Sequence, residues 1–395
     1  MDTSSSSSSS SASVGEKRNA FAALMAGSAK TDGGTKSTKQ QKREDAVESD
    51  AAAVEKVLSD LGARPASDFT VCIISKGRSA NVKKMRAACG KDVEPTFVVA
   101  AGEEEAYRAA GAVKVVEGGK LCASRNKCIA LAAEEGKTCL EMSDDLKDIK
   151  ILHQAEGVWK KPEDLSAANK MAKEDVTILN VSAVDAARYL DVYMRRENTK
   201  LGGAFPTPNE GQAMMPPPTS QDLFVVGDFL VVDPEGAPRF DELMTLKEDY
   251  DLTAQHLATY GKITRCNRLI VVAEHYENPG GAVADRAQMS KEDRKTVPDP
   301  KEQYNIAVLR HKWPGVFPQH GTRGVNEVRM AWNMRGKQLK GKEEVKRPPK
   351  PADWEGTVVD MRPTAASFFG KPAATKSKQP KAAVDGSSSS APLEA

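Results

Sequence analysis

Residues 69–78 read FTVCIISKGR, an apolar and largely β-branched run that stops at a Ser-Lys-Gly-Arg turn. Hydrophobic residues at consecutive rather than alternate positions mark a strand covered on both faces, the situation of a strand inside a parallel sheet. The next seventy residues keep that rhythm. NVKKMRAACG carries Val82, Met85 and Arg86 at helical spacing, EPTFVVA is a second strand, EEEAYRAAG a helix and VKVVEGG a short third strand. In LCASRNKCIALAAEEG, Leu121, Cys122, Asn126, Ile129 and Ala130 share a helical period and a glycine closes the end; strand TCLEMS then runs into Asp144 and Asp145. Alternation of this kind predicts an α/β fold, a three-layer sandwich around a mainly parallel central sheet, with ligand loops at the carboxyl ends of its strands.

The second half is less regular. DVTILNVSA predicts a strand and AVDAARYLDVYMRRE a long amphipathic helix, whereas the Gly- and Pro-rich stretch from Leu201 to Ser220 reads as a long connection of the kind that covers a site. DLFVVGDFLVVD predicts a strand. RFDELMTLKEDYDLTAQHLATYG predicts a loop leading into a helix with Leu252, His256 and Leu257 on one face, and ITRCNRLIVVAEHYENPGG a further strand.

Composition changes on either side of this unit. Residues 1–66 are rich in Ser, Lys, Ala and Gly and almost free of aromatics, and 336–395 return to the same signature, too poor in apolar surface to offset the entropy of ordering. Both are expected to be disordered tails around one domain, 67–335. Each carries an island: Phe21, Leu24 and Met25 form a short helical stripe near 17–29, and Phe368 with Phe369 stands out near 364–371. The islands read either as docking motifs or as incidental apolar residues.

The 395 residues carry 57 basic and 55 acidic side chains, a net charge of +2, so any contact with nucleic acid must be local rather than driven by the whole chain. No run approaches the ~20 apolar residues of a membrane-spanning helix, and the Ser-rich start lacks the apolar core of a secretory signal. The six cysteines form no C-x-x-C pair, which speaks against zinc ribbons and fingers, and Cys72 and Cys139 sit where a small core hydrophobe is expected. Walker loops, G-x-G-x-x-G and G-x-S-x-G are absent from the sequence, which removes support for P-loop hydrolysis, Rossmann cofactors and serine hydrolysis.

Carboxylates remain. Adjacent acids at a strand exit, Asp144 and Asp145, repel one another unless a cation or donor lies between them, and Mg²⁺ or Mn²⁺ suits such a place because it takes one or two carboxylates and completes its shell with substrate phosphates. A solvated loop or a helix N-terminus is the alternative. Glu248, Asp249 and Asp251 precede a helical stripe, where they read either as first-turn acids or as a base near a metal-bound phosphate. Lys76, Arg78 and Arg125 complement both clusters, and guanidinium groups can hold phosphate bidentately.

In combination, IISKGRSANVKKM, EPTFVVAAGEEEAYRAAGA, GGKLCASRNKCIALAAEEGKTCLEMSDDL and FDELMTLKEDYDLTAQHLATYG resemble a glycosyltransferase of the GT-A fold. The likeness is greatest to the TET/JBP-associated glycosyltransferases, thought to add sugars to oxidised nucleic-acid bases, and it spans roughly Phe69 to Trp332. It implies that Ser75, Lys76, Gly77, Arg78 and Asn81 line the nucleotide-sugar pocket, and that Arg125 and Asn126 approach its base or diphosphate. The SDD segment matches the acidic metal motif, so Asp145 and then Asp144 would hold Mn²⁺ or Mg²⁺, with Ser143 where the motif has Asp. His275 would be a further metal or diphosphate contact; the other reading is a structural histidine at a strand end. EDYD would supply the base, Asp249 first and Glu248 second. The implied donor is a nucleoside-diphosphate sugar, the implied acceptor a hydroxymethylated pyrimidine in DNA, and the implied compartment the nucleus. The FF island resembles a degenerate sliding-clamp-binding peptide, which extends the expected partners to replication or repair proteins. Protein or lipid acceptors, or an inactive GT-A-like binding module, are the competing readings.

Overall fold

A computed structural model describes residues 38–274, 290–319 and 322–335. The chain divides into two compact units, Met1–Asp45 and Ala46–Ala395. The described part of the first is the start of helix α1 (Thr38–Asp60), where Gln41 Nε2 donates to Asp45 Oδ1 across one turn at 2.7 Å. The second unit holds the sheet and the remaining helices.

Strands β1 (Phe69–Ser75), β2 (Thr96–Val99), β3 (Lys114–Glu117) and β4 (Thr138–Ser143) alternate with helices α2 (Val82–Cys89), α3 (Glu104–Ala109) and α4 (Leu121–Glu135). The chain continues through β5 (Leu146–His153), α5 (Leu165–Glu174), β6 (Thr177–Asn180), α6 (Ala183–Glu197), β7 (Leu201–Phe205), α7 (Glu210–Met214), β8 (Thr219–Ser220) and β9 (Phe229–Val232). It ends in α8 (Glu248–Tyr260), β10 (Thr264–Ala273), α9 (Lys291–Thr296) and α10 (Pro300–Lys312). The strands form one ten-stranded sheet ordered β3-β2-β1-β4-β9-β7-β10-β5-β6, with β8 beside β10.

β1 shows why the opening run reads as a buried strand. Val71 and Ile73 enter a core beneath α2, α3 and α6, while Cys72 and Ile74 enter a second core beneath α4, α8 and α10. Each face of the sheet is thus sealed by helices, at roughly 1.5–3 kcal/mol per fully buried aliphatic side chain. All six cysteines are free and buried, as small hydrophobes. Among the described residues, no helix is long and apolar enough to cross a membrane.

Three expectations need correction. The sheet is mixed: β3-β2-β1-β4 pair in parallel, but β9 runs antiparallel to β4 and β7, and β5 runs antiparallel to β10 and β6. The expected disordered tail does not reach residue 66, because α1 occupies Thr38–Asp60 and buries Val54 and Leu58 against the sheet. A composition this polar hides a helix whose contact with the core rests on Val54 and Leu58, with Val57 packed beside them. The islands near Phe21 and Phe368, and His275, lie outside the described residues.

The third correction concerns Leu201–Ser220. Its first five residues are β7, a fully buried strand between β9 and β10, and α7 and β8 come after it. Gly202 and Gly203 disguise the strand, yet packing demands both: a Cβ on Gly202 would lie 2.5 Å from Met194 Sδ, and one on Gly203 would lie 2.7 Å from Val225 Cβ. The stiff, β-branched Val225 cannot swing aside. Gly203→Ala should therefore lower stability by about 1–3 kcal/mol through overpacking, measured as the urea midpoint; an unchanged midpoint would show that the loop carrying Val225 yields. The DLFVVGDFLVVD run in turn contains a strand only at Phe229–Val232, and its first half is the loop that enters the site.

Candidate functional site

Ser75 ends β1, and Asp144 and Asp145 form the turn after β4, its parallel neighbour. The two carboxyl ends meet as an interlocked set of polar groups. Arg78 Nη1 donates to Asp144 Oδ1 at 2.7 Å and to Asp145 Oδ2 at 3.2 Å, with all three side chains buried. Ser75 Oγ donates to Asp144 Oδ2 and shares a 2.5 Å hydrogen bond with Tyr107 Oη, while Asn81 Nδ2 donates to the Asp144 carbonyl at 3.0 Å. Tyr107 Oη also accepts from the Arg78 backbone N–H at 3.1 Å, and Gly77, in the left-handed region at φ 69°, donates to Glu103 Oε2. Lys76 is exposed on the same turn.

This arrangement separates the two aspartates. Both oxygens of Asp144 are engaged, one by arginine and one by serine; burial raises its carboxyl above the ordinary range against the pull of those partners. Asp145 is 4 % exposed and its Oδ1 has no hydrogen-bond partner. Of the two aspartates expected to hold a metal, only Asp145 keeps a carboxylate oxygen without a hydrogen bond, and that oxygen is buried. Among the described residues, no group of three or more His, Cys, Asp or Glu side chains is arranged to hold a metal.

The helix α8 segment reaches the same place through a loop that the sequence reading did not single out. Register Met142↔Phe229 between β4 and β9 sets Asp228 beside Ser143, whose N–H donates to the Asp228 carbonyl at 3.0 Å and whose Oγ donates to Asp228 Oδ1 at 3.4 Å. An acid thus stands against the serine that interrupts the acidic motif. Next to it, the Gly227 N–H donates to Asp249 Oδ2 at 3.0 Å, and Asp249 Oδ1 accepts from the Tyr250 N–H at 2.8 Å. Gly227 is required by crowding, since a Cβ there would lie 2.8 Å from Arg125 Nη2 and 3.2 Å from Asp249 Cβ.

Arg125 is the centre of this second cluster rather than a phosphate fork. It is 5 % exposed, donates to Glu141 Oε1, to the Gly227 carbonyl at 3.0 Å and to Glu248 Oε1 at 2.8 Å, and lies over the Phe240 ring at 5.3 Å. Glu248, expected as a second base, is held in that ion pair. Asn126 is also structural: its amide donates to the Phe240 carbonyl at 3.0 Å and its oxygen accepts from the Phe240 N–H at 2.8 Å. Asp251 anchors α8 to α10 by accepting from Trp313 Nε1 at 2.7 Å and from Lys312.

Glu141, Glu248 and Asp249 surround a single guanidinium, so not all three can ionise cheaply. Burial pushes Asp249 up to about 7, with the Glu248 charge adding and Arg125 opposing; burial likewise raises Glu141 to about 7 against Arg125. The cluster therefore exchanges a proton near neutrality. Asp249 keeps part of its surface toward solvent, while Glu141 is fully buried, so of the two Asp249 is placed to exchange protons with another molecule.

The sequence reading singled out Asp144, Asp145, Arg78, Asn81, Ser75 and Asp249, and the fold brings them near the carboxyl ends of β1 and β4. Glu141, Gly227, Asp228 and Tyr107 went unnoticed. A signal was present for Glu141, a charge inside the apolar run TCLEMS, but none for Asp228, whose position depends on the antiparallel pairing of β9. Compared with protein-family models, curated proteins and solved structures, the chain matches none.

Proposed function

We propose that this protein is a metal-dependent glycosyltransferase that moves a sugar from a nucleoside-diphosphate donor to a hydroxyl acceptor. One observation carries the reading. Three segments far apart in sequence, SKGR, SDD and EDYD, converge at the carboxyl ends of β1 and β4, with an unbonded buried oxygen on Asp145 and a carboxyl titrating at about 7 on Asp249. The acceptor assignment, a hydroxymethylated pyrimidine in DNA within the nucleus, rests on the resemblance to the TET/JBP-associated glycosyltransferases.

In this reading Arg78 and Asn81 border the diphosphate, Lys76 adds an exposed positive charge on the same turn, and Asp145 presents the oxygen that would hold the metal. The bound ion would offset the charge that grows on the departing diphosphate. Asp249 accepts the proton of the acceptor hydroxyl; that oxygen bonds to the anomeric carbon as the bond to the diphosphate breaks with its electron pair, inverting the centre. The Gly227 and Tyr250 N–H groups fix the carboxylate's orientation for that transfer.

A screen of nucleotide sugars for hydrolysis and transfer in Mn²⁺ tests this directly. Activity with one donor, lost in EDTA and reduced about 10²-fold or more in Asp145→Asn, is the expected result. Mass spectrometry of nucleosides from hydroxymethylated duplex DNA identifies the acceptor. A second reading, an inactive GT-A-like binding module, draws on Arg78, whose guanidinium already bridges both aspartates, and on Ser143. Donor binding without turnover for every sugar tried would favour it.

A further inference from the structure

The two segments that hold Asp249 also build a ladder of aromatic rings. Phe224, on the loop that leads into Gly227, stacks on Tyr250 with ring centroids 3.9 Å apart and planes 9° from parallel, and Tyr250 meets Phe317 edge-on at 5.7 Å. Phe317 is buried and Tyr250 is pinned, its Oη donating to the Val328 carbonyl at 3.2 Å. Phe224 is less enclosed. Half-buried, it belongs to none of the three apolar cores, so Tyr250 covers one face of its ring and no core closes over the other. The segment that anchors Tyr250 carries positive charge. Gln319 pairs with Val328 in an antiparallel bridge, and Arg323 and Arg329 are exposed, with no ion-pair partner for either among the described residues. Burial raises the Tyr250 hydroxyl and the Arg323 charge opposes that rise, which places Arg323 within electrostatic reach of the stack. Between them, Glu327 faces Lys247 at 3.5 Å.

We propose that this face binds an unpaired strand of DNA, with one base stacked on the outer face of Phe224 and neighbouring phosphates on Arg323 and Arg329. A planar ring beside unpaired guanidinium groups matches the alternation of base and phosphate along a single strand, and every base has a π-face that an aromatic side chain can take. In a duplex those faces are already covered by the adjacent base pairs, so the base must be unstacked to reach the ring. The choice of DNA rests on the proposed transferase reading, in which Asp249 receives the acceptor's proton. Binding itself does not require that chemistry.

Fluorescence anisotropy of a short labelled oligothymidylate with the full-length chain, in the absence of nucleotide sugar, is the test, with a duplex of the same length and oligouridylate as comparison probes. The expected result is tighter binding of oligothymidylate than of the duplex. Phe224→Leu, which keeps an apolar contact with Tyr250 but loses the flat face, should weaken it about tenfold, the effect of losing one stacked base, and Phe224→Trp should retain it. Arg323→Gln and Arg329→Gln, both at exposed positions, should each lower the slope of log affinity against log salt by about 0.7. If Phe224→Leu fails to fold, the two arginine slopes and the tryptophan variant decide. A duplex bound as tightly, oligouridylate bound more tightly than oligothymidylate, or salt slopes unchanged in both arginine variants would each overturn the assignment, as would full affinity in a folded Phe224→Leu. Strand binding in the expected pattern without sugar transfer would remove only the transferase reading, whereas transfer to another acceptor without strand binding would remove only this one.

Discussion

Asp249→Asn should lower kcat for sugar transfer by about 10²–10⁴-fold, the usual contribution of a positioned general base, while leaving donor affinity nearly unchanged. The wild-type rate should rise with pH through about 7 and level off above it, because the carboxyl proposed to accept the acceptor's proton is pushed to that value by burial and by Glu248. In the asparagine variant that rising limb disappears, and the residual rate is flat across the range. A structural role would give a different pattern. The asparagine amide would face one of the two N–H donors that Asp249 now accepts, Gly227 or Tyr250, at a cost of about 1–3 kcal/mol. That loss lowers the thermal midpoint and scales the whole pH profile without changing its shape. A variant that is slower but keeps the limb near pH 7 would remove Asp249 as the base.

The same titration reaches into stability. A carboxyl whose proton is held more tightly in the folded state than in the unfolded chain contributes stability that is complete below about pH 4, the ordinary carboxyl value, and is lost as pH rises through about 7. Thermal midpoints of the wild-type chain should therefore decline between pH 4 and 7 from this cluster and flatten above it, and Asp249→Asn should decline less steeply.

How much of the fold was legible in the sequence depended on whether the information was local. The alternation from Phe69 to Ser143 gave the parallel half of the sheet, because a strand buried on both faces announces itself by unbroken hydrophobicity, and α4, α6 and α8 stand where their apolar periods place them. β7 did not, since LGGAF looks like a connection until Met194 and Val225 are seen pressing on its glycines. β5 was missed although LKDIKILH buries Leu146, Ile149, Ile151 and Leu152: attention to the acids before it suggested a loop or a helix start. The site divided along the same line. Residues on the strand-end turns were found from position alone. The partners that decide what those residues can do, Arg78 on both aspartates and Arg125 on Glu141 and Glu248, come from sheet order, which places β1 beside β4 and the β9 loop beside Ser143. Arg125 and Arg78 look alike in the sequence, and only the fold makes one a buried keystone and the other a clamp at the site.

Arg125→Met should be the most damaging single change to stability, costing about 3–5 kcal/mol, the range for breaking a buried ion pair by removing one partner. The methionine stem fills similar volume over Phe240, so little of the loss comes from a cavity. Charge dominates instead: Glu141 is fully buried, its Oε2 is already without a partner, and losing Arg125 leaves Oε1 bare as well. Glu248 and the Gly227 carbonyl lose their donor at the same time. With no cation among three carboxyls, the cluster holds its protons to higher pH, so whatever transferase activity survives should show its rising limb shifted above 7. Adding Glu141→Leu to Arg125→Met separates charge from packing. Two buried polar groups replaced together by apolar ones of similar size are often tolerated, so the double variant should recover a large part of the lost stability, with a coupling energy of about 1–3 kcal/mol in a double-mutant cycle. If the two changes simply add, the Arg125–Glu141 pair is not what holds α4 against β4, and Asp249 owes its altered acidity to burial and Glu248 alone.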